Sequence, residues 1–525
     1  MEKSIFTKQP WTRRLAEGTL PHPALAFQSF NDAGSNSVIY TQRRMLDEYY
    51  PTSHDIYNKK LYPDILREVD ENYIDDDGVE KVRTRRYIEP LPRTSFAHQQ
   101  IIETKRTDHL CGNDVTFERN WSEKNEKREE FYRELVDGWE FCDMEDAVYQ
   151  FIHQSNIVAD AALVGYLYND EFGQRMFSTN VFSFFNGDDI YSHRDTRTGR
   201  VKLFARKFTD EFGRSLTEVW DDKFYYLFVM PNNEADTDSK PDRYYFTEPF
   251  TDKDGNVIDA IKTGFYIDGY ALERKEEHLF PFCPVSYRRL KDGPVWVFSQ
   301  DSIEAYEEDF NGMRHNNKTY GEPIMAAKGD DVEGVPELDG TIKYISMGKD
   351  DDVKMLQGQS AAESYILALD KLEELIYLES FIVKTPEMKS GDLPATALKI
   401  IYSPAVEKAM HEVKEIQPAI NAIVNIFRWG WGMVKNCTID FQPSNLPLKV
   451  YLKPFVHQSE SSMVVDINTS VINGTLSKRT GSERLAGYLA EENEWERIVE
   501  EKKEEEKADL LYETALARQG SQSSE

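Results

Sequence analysis

Between Ser360 and Lys435 the chain carries two helical patterns separated by a short polar stretch, and this pairing limits what the rest can be. In SAAESYILALDKLEELIYLESFIV, Ala362, Leu369, Ile376 and Val383 recur every seven residues, while Tyr365, Leu372, Leu375, Leu378 and Ile382 fill positions on either side. A helix that is apolar on more than one side needs neighbours on more than one side. At about 1.5 Å per residue, a helix of roughly 24 residues would span about 36 Å. Thr385-Pro386 ends the pattern, because proline has no amide proton and its ring clashes with the preceding turn. Glu387 to Leu393 (EMKSGDL) then combines a glycine, a serine and charges with no apolar period. The helical pattern resumes at Pro394, a residue suited to a first helical position. It runs to Lys435 with Pro404 and Pro418 inside it, where a kink or break is expected.

A length of 525 residues points to about two to four domains rather than one compact core. The 63 basic and 93 acidic residues leave a formal charge of −30, which repels phosphate and excludes adhesion to nucleic acid through a generally basic surface. Cys111, Cys142, Cys283 and Cys437 are far apart and form no CxxC spacing, so no disulfide framework is expected and a reducing compartment is. Met1 to Ala16 already holds Lys3, Lys8, Arg13 and Arg14 among polar residues, unlike an export signal. The most apolar window, Ile416 to Val434, contains Pro418, Arg428, two asparagines and two glycines, and falls short of the roughly 20 apolar residues a bilayer span requires. No membrane association is expected.

Along the chain, Met1 to Asn36 reads as an extended arm broken by Pro21 and Pro23. Tyr40 to Tyr50 and Asp64 to Tyr73 read as short helices, and an Asp75-Asp76-Asp77-Gly78 turn leads into a strand from Lys81 to Ile88. Ser95 to Thr107 is a helix with Phe96, Ile101 and Ile102 on one face; a break at Gly112 and a strand through Val115 to Phe117 follow. Ser122 to Val136 is a charged helix. Asp143 to Leu167 is a second, packed on the first, with Ala147, Phe151, Ile152, Val158, Ala162 and Val164 buried. From Arg175 to Tyr287 the period changes to two in VKLFARKF, SLTEVWDDKFYYLFVM, RYYFTEPF and TGFYIDGYAL, predicting short antiparallel strands whose aromatic residues form core and sheet face. Asp301 to Asn317 is a long helix with Ile303, Tyr306, Phe310 and Met313 at helical spacing. Gly321 to Gly358 is a small α/β cap with strands in PIMAAKG and TIKYISMG. Thr438 to Pro454 holds two short strands, Ser459 to Val471 a helix, and Ser477 or a neighbouring threonine caps the next helix. Ala490 to Asp509, with ten acidic and four basic residues, is a solvated helix or tail. The fold class is α+β.

Chemical motifs are missing. There is no GxxxxGK[ST] loop for a triphosphate, no HExxH, and no GxSxG elbow. His411-Glu412 lacks a second histidine at the right spacing, and Cys111 has no signature of an activated nucleophile. Asp188-Asp189 and Asp221-Asp222 are candidates for two-metal chemistry, but neighbouring carboxylates on a strand point to opposite faces. No catalytic residue, metal or cofactor is assigned.

Several stretches resemble the portal proteins of long-tailed bacteriophages. FAHQQIIETKRTDHLCGNDVTF is similar to an early family helix leading into a strand, with Asp114 where the family commonly has proline, and VWDDKFYYL resembles a family strand. PEMKSGDLPATALKIIYSPAVEKAMHEVKEIQPAINAIVNIFRWGW resembles the tunnel loop and the long helix after it, and VVDINTSVINGTLSKRTGSERL resembles the entry to the crown. The resemblance spans roughly residues 95 to 510.

It implies a portal architecture: arm and wing edge at 1–94, wing at 95–296, first stem helix at 297–320, clip at 321–358, second stem helix at 359–383, tunnel loop at 384–394, long kinked helix and wing return at 395–458, and crown with acidic tail at 459–525. The implied function is a non-enzymatic ring, usually a dodecamer, at one capsid vertex of the virion, assembled in the host cytoplasm. Double-stranded DNA enters and leaves through it without sequence-specific contact. Implied partners are the terminase large subunit, a head-tail adaptor, and the major capsid and scaffold proteins. Lys384, Glu387, Met388, Lys389, Ser390, Gly391 and Asp392 would face DNA. Ile303, Tyr306, Phe310, Met313, Leu369, Leu372 and Ile376 would pack the stem, and Lys328, Asp330, Asp331, Lys343 and Lys349 would dock partners at the clip. A stem apolar on two sides suits a closed ring, and an acidic channel lets phosphate slide. Another phage connector or head-completion ring protein is the alternative, and a carboxylate metal-dependent nuclease a more distant one.

Overall fold

The computed structural model describes residues 12–15, 37–74, 80–121, 126–195, 197–230, 244–245, 266–267, 271–320, 324–328, 352–356, 362–384, 400–455, 460–478, 480–482, 485, 495, 497–503 and 507. The chain divides into two units, one of residues 1–384 with 404–455 and the other of residues 385–403 with 456–525.

In the first unit, β1 (Thr12–Leu15) pairs in parallel with β2 (Ser37–Tyr40). Helix α1 (Gln42–Tyr49) follows, capped where the Thr41 side chain accepts the Arg44 amide. The Asp64 to Tyr73 segment, expected as a helix, is instead β3 (Ile65–Ile74), paired along its whole length with β4 (Glu80–Glu89). Hairpin closure decides this: ten cross-strand partners satisfy backbone groups that a short, polar helix would leave to water. The Asp75 to Gly78 turn lies outside the described residues.

Helix α2 (His98–Cys111) ends at Gly112, and β5 (Thr116–Arg119) follows as expected. Ile102 is buried but Ile101 is exposed, so only part of the expected apolar face is used. Helices α3 (Glu126–Phe141) and α4 (Met144–Val158) pack on each other. The helix expected to reach Leu167 stops nine residues earlier: Ala159 adopts a left-handed φ of 66°, and the chain turns into β6 (Asp160–Asn169). Ala162 and Val164 are buried there as strand residues. A continuous apolar run fits a buried helix or a buried strand equally well, and pairing with neighbours settles which.

Strand β6 lies between β7 (Arg175–Phe182) and, once the chain returns, Val285–Arg289. The chain first builds a five-stranded antiparallel sheet from β8 (Asp189–Arg194), β9 (Val201–Thr209), β10 (Ser215–Trp220), β11 (Phe224–Val229) and, after the two-residue strands β12 (Tyr244–Tyr245) and β13 (Tyr266–Ile267), β14 (Ala271–Glu277). β15 is the Val285–Arg289 strand. Thus LFPFCPVSY does more than end the β region: its last residues form an edge strand beside β6. Trp220 and Phe204 are buried between the two sheets with Phe182 and Tyr287.

Helix α5 (Gln300–Tyr320) leads to a two-stranded hairpin of β16 (Ile324–Lys328) and β17 (Asp352–Leu356), and α6 (Ala362–Glu379) returns. The hairpin's second strand is Asp352–Leu356; TIKYISMG lies outside the described residues. At 18 residues α6 is about 27 Å long, shorter than expected. Phe381 takes a φ of 57° and ends it.

Helix α7 (Ser403–Val434) begins beside Pro404, which stands in its first turn, where a missing amide proton costs nothing. Pro418, where a kink or break is expected, lies within it, and the helix is not broken there. Burial of Ile416, Ile420, Ile423 and Phe427 in the main core holds this segment helical despite the lost hydrogen bond. Of two strands expected in Thr438 to Pro454 only β18 (Leu448–Tyr451) forms, beside β5; residues 438 to 446 are turns.

The core of this unit is where α2, α3, α4, β6, β7 and α7 meet. Phe427 contacts Trp139 and Phe177 edge-on and stacks on Trp431. Glycine makes this approach possible: a Cβ on Gly138 would stand 2.3 Å from the Trp431 ring, and one on Gly430 would stand 2.1 Å from Phe177.

In the second unit, α8 (Glu460–Ile472) ends at Gly474, whose φ is +72°. Ser477 then accepts the Thr480 amide at 3.1 Å, the cap expected for the next helical turn. Residues 497–503 are helical; the rest of the acidic segment lies largely outside the described residues.

Candidate functional site

The segment that distinguishes this chain is the α5, hairpin, α6 excursion and the residues that root it. Ile303, in the first turn of α5, is fully buried with Ile102, Ile157, Val158, Trp296 and Ile376. Ser302 donates to Glu379 at 2.9 Å, tying the start of α5 to the end of α6 and setting the two helices antiparallel. Leu369 and Ile376 are buried, whereas Leu372 is half-buried. Tyr306 and Phe310 each meet the Phe96 ring edge-on at 5.0 Å, and Met313 is half-buried. All seven residues expected to pack the helix pair therefore lie on α5 or α6, and of these Ile303, Leu369 and Ile376 are buried.

A polar lock on α5 has no counterpart in the sequence reading. Glu307 is buried in the second turn and accepts the Phe96 amide at 2.9 Å and the His54 ring at 2.7 Å. The other His54 nitrogen faces the Glu48 carbonyl at 2.7 Å. Both partners can accept, an arrangement that favours a proton on each ring nitrogen and so the imidazolium form. Burial works against that charge, but the Glu307 carboxylate overrides it and raises the His54 pKa above its ordinary value. One turn further on, Asn311 exchanges two hydrogen bonds of 2.8 Å with the Thr94 backbone, and Tyr62 donates to Glu308. No local pattern announces the partners that α5 takes from His54, Tyr62, Thr94 and Phe96, each more than 200 residues away in sequence.

On the other side α6 is bare. Ile366, Leu367, Leu375 and Leu378 are 54, 62, 42 and 69% exposed, on a broad face they share with the exposed Glu363, Asp370, Lys371 and Glu374. Lys384, just beyond α6, pairs with Glu373 at 2.9 Å, and Lys105 donates to the Val383 carbonyl at 3.0 Å. The exit from α6 is thus held by two lysines. Glu387, Met388, Lys389, Ser390, Gly391 and Asp392 lie outside the described residues, as do Asp330, Asp331, Lys343 and Lys349. Lys328 is the last residue of β16, opposite Asp352 in the register.

The acidic pairs weighed for metal chemistry have structural work. Asp188 is buried and holds Arg206 at 2.8 Å, while its exposed neighbour Asp189 points away. Asp221 accepts the Lys223 and Phe224 amides and the Tyr226 hydroxyl in the β10–β11 turn. No cluster of three or more histidine, cysteine or acidic side chains is placed to hold a metal ion among the described residues, and no helix there is long and apolar enough to cross a membrane. Burial pushes the Cys111 thiol up to about 12, the opposite of nucleophile activation.

Residues 35–508 match the family model described as phage portal protein, SPP1 Gp6-like. The chain belongs to this phage portal protein family. The match begins at residue 35, well before the stretch near residue 95 where the resemblance in local motifs starts, so the portal region includes α1 and the β3–β4 ribbon. It also includes the α5, hairpin, α6 excursion and runs into the helical residues after α8. No curated protein matches the chain.

Proposed function

We propose that this portal protein forms a closed ring at one capsid vertex, through which double-stranded viral DNA is packaged and later released. The observation that carries the proposal is α6. One side is buried against α5 and the core, and the other presents Ile366, Leu367, Leu375 and Leu378 to solvent. Four large apolar side chains exposed on one helix mark a surface suited to a partner, and a ring supplies the same neighbour to every copy.

In this reading α5 and α6 are the stem, the β16–β17 hairpin belongs to the clip, the 384–394 segment is the tunnel loop, and α7 is the long helix behind it. A ring of chains that each carry −30 gives DNA a wall with which phosphate makes only weak contacts, as sliding requires. The terminase large subunit and a head-tail adaptor would dock in turn at the clip, with Lys328 and its neighbours at the contact, and capsid and scaffold proteins would surround the ring.

Negative-stain microscopy of the purified protein tests the proposal. Closed rings, with twelve subunits as the expected number, support it; a monomer at all concentrations overturns it.

A further inference from the structure

We propose that Phe172 and Phe212 are twin anchors by which each subunit grips a separate protein made of many identical copies, through apolar pockets edged by lysine or arginine. The inference rests on the ring reading, in which that partner is the major capsid protein.

The chain carries the sequence Asp-Glu-Phe-Gly twice, at residues 170–173 and 210–213. The first closes the β6–β7 hairpin in one sheet, and the second closes the β9–β10 hairpin in the other. Their backbones agree bond for bond. The Asp170 carbonyl accepts the Gly173 amide at 3.0 Å, and one oxygen of its side chain accepts the Phe172 and Gln174 amides at 2.9 and 2.7 Å. The Asp210 carbonyl accepts the Gly213 amide at 3.0 Å, and its side chain accepts the Phe212 and Arg214 amides at 3.0 and 2.8 Å. Gly173 and Gly213 then take left-handed φ values of +76° and +78°. A three-residue hairpin loop of this kind needs the aspartate and the glycine, and leaves the residues between them free.

The β8–β9 hairpin shows that freedom. Its turn also opens with an aspartate, Asp195, whose side chain accepts the Arg197 and Thr198 amides at 2.7 and 3.3 Å, and it also ends on a left-handed glycine, Gly199. Arg197 and Thr198 stand between, so no aromatic ring is required to make such a turn. Yet Phe172 and Phe212 are there, 87 and 82% exposed, more than any other aromatic side chain among the described residues. A phenyl ring held in water by a fixed turn gains little within its own chain. It is suited to an interface, because its position is set before contact and little ordering remains to be done on binding.

Charge names the chemistry of the partner. Each tip has two acids and one arginine: Asp170 and Glu171 with Arg175, and Asp210 and Glu211 with Arg214. Glu171 and Glu211 are exposed, while Arg214 is paired with Asp210 at 2.7 Å and lies 5.6 Å from the Phe212 ring. The complementary pocket is apolar within and basic at its rim. The large groove of this chain does not qualify. Arg175 borders it, but its α3 wall carries Glu126, Glu130, Glu134 and Asp137, which repel an acidic tip. A second copy is therefore a poor host. Two equal anchors on one chain match a partner that offers the same pocket more than once, at fixed spacing, as a shell of identical subunits does.

Binding of purified rings to the purified major capsid protein of the same phage, followed by biolayer interferometry, tests this. Full-length protein carrying both Phe172→Ser and Phe212→Ser should bind at least tenfold more weakly than wild type, with ring formation and melting temperature unchanged. Glu171→Lys with Glu211→Lys should weaken binding as well, and Arg197→Ala in the third hairpin should not. Wild-type rings that fail to bind, or equal binding by the serine pair, overturn the anchors and leave the ring reading standing. Loss of rings in the serine pair overturns them too, since the tips would then meet a neighbouring copy. So does a serine pair that keeps the capsid protein and loses only the scaffold protein. Wild-type protein that stays monomeric overturns the ring reading and this inference with it.

Discussion

His54 shows how one side chain ties distant parts of the chain together. It joins the segment after α1 to the second turn of α5 through two acceptors, and its charge depends on both. Its folded pKa is raised, so the stability it contributes is complete below the unfolded value near 6.5 and is lost as pH rises through the folded value. Thermal melting followed from about pH 6 to about pH 9 should show this decline, and His54→Leu should flatten it. The same substitution leaves Glu307 buried without its cation and should destabilise the first unit by about 3 kcal/mol in denaturant unfolding. Gly138 makes the opposite point, that an absent side chain can matter as much as a present one. Gly138→Ala places a methyl group 2.3 Å from Trp431 and should cost about 1–3 kcal/mol by the same measurement.

At the scale of elements, α6 and α7 show two ways of satisfying a helix. Helix α7 is surrounded: Ile416, Ile420, Ile423, Phe427 and Trp431 enter one core, and this packing tolerates Pro418. Phe427→Ala should therefore destabilise the unit by about 3–5 kcal/mol, read from equilibrium unfolding. Helix α6 is finished on one side only. Leu378→Asp, at a position 69% exposed, should leave the melting temperature of the isolated chain within about 2 °C of wild type. The same change should reduce the assembled fraction on native gels if that face is an interface. A parallel fall in melting temperature would mean that Leu378 supports its own chain instead.

At the scale of the whole molecule, the chain belongs to the phage portal protein family, and in the proposed ring reading the loop after Lys384 would contact DNA. Deleting Glu387 to Leu393 should preserve ring assembly but impair DNA packaging; undiminished packaging would remove the loop from that role. The sequence by itself determined what short-range patterns can determine. Helical spacing such as that in Ser360 to Val383, period-two aromatics from Arg175 to Tyr287 and the Ser477 cap marked helices and strands, and local motifs such as PEMKSGDLPATALKIIYSP carried the portal resemblance. Tertiary structure decided what depends on remote partners. It made Ile65–Ile74 a strand, because β4 pairs with it along its whole length, and turned Asp160–Asn169 into the centre of a sheet, because β7 and β15 flank it. It placed His54 against Glu307 across 253 residues. It also separated the buried side of α6 from the bare one, since apolar spacing records that a face will be covered and only packing shows by which part of which chain.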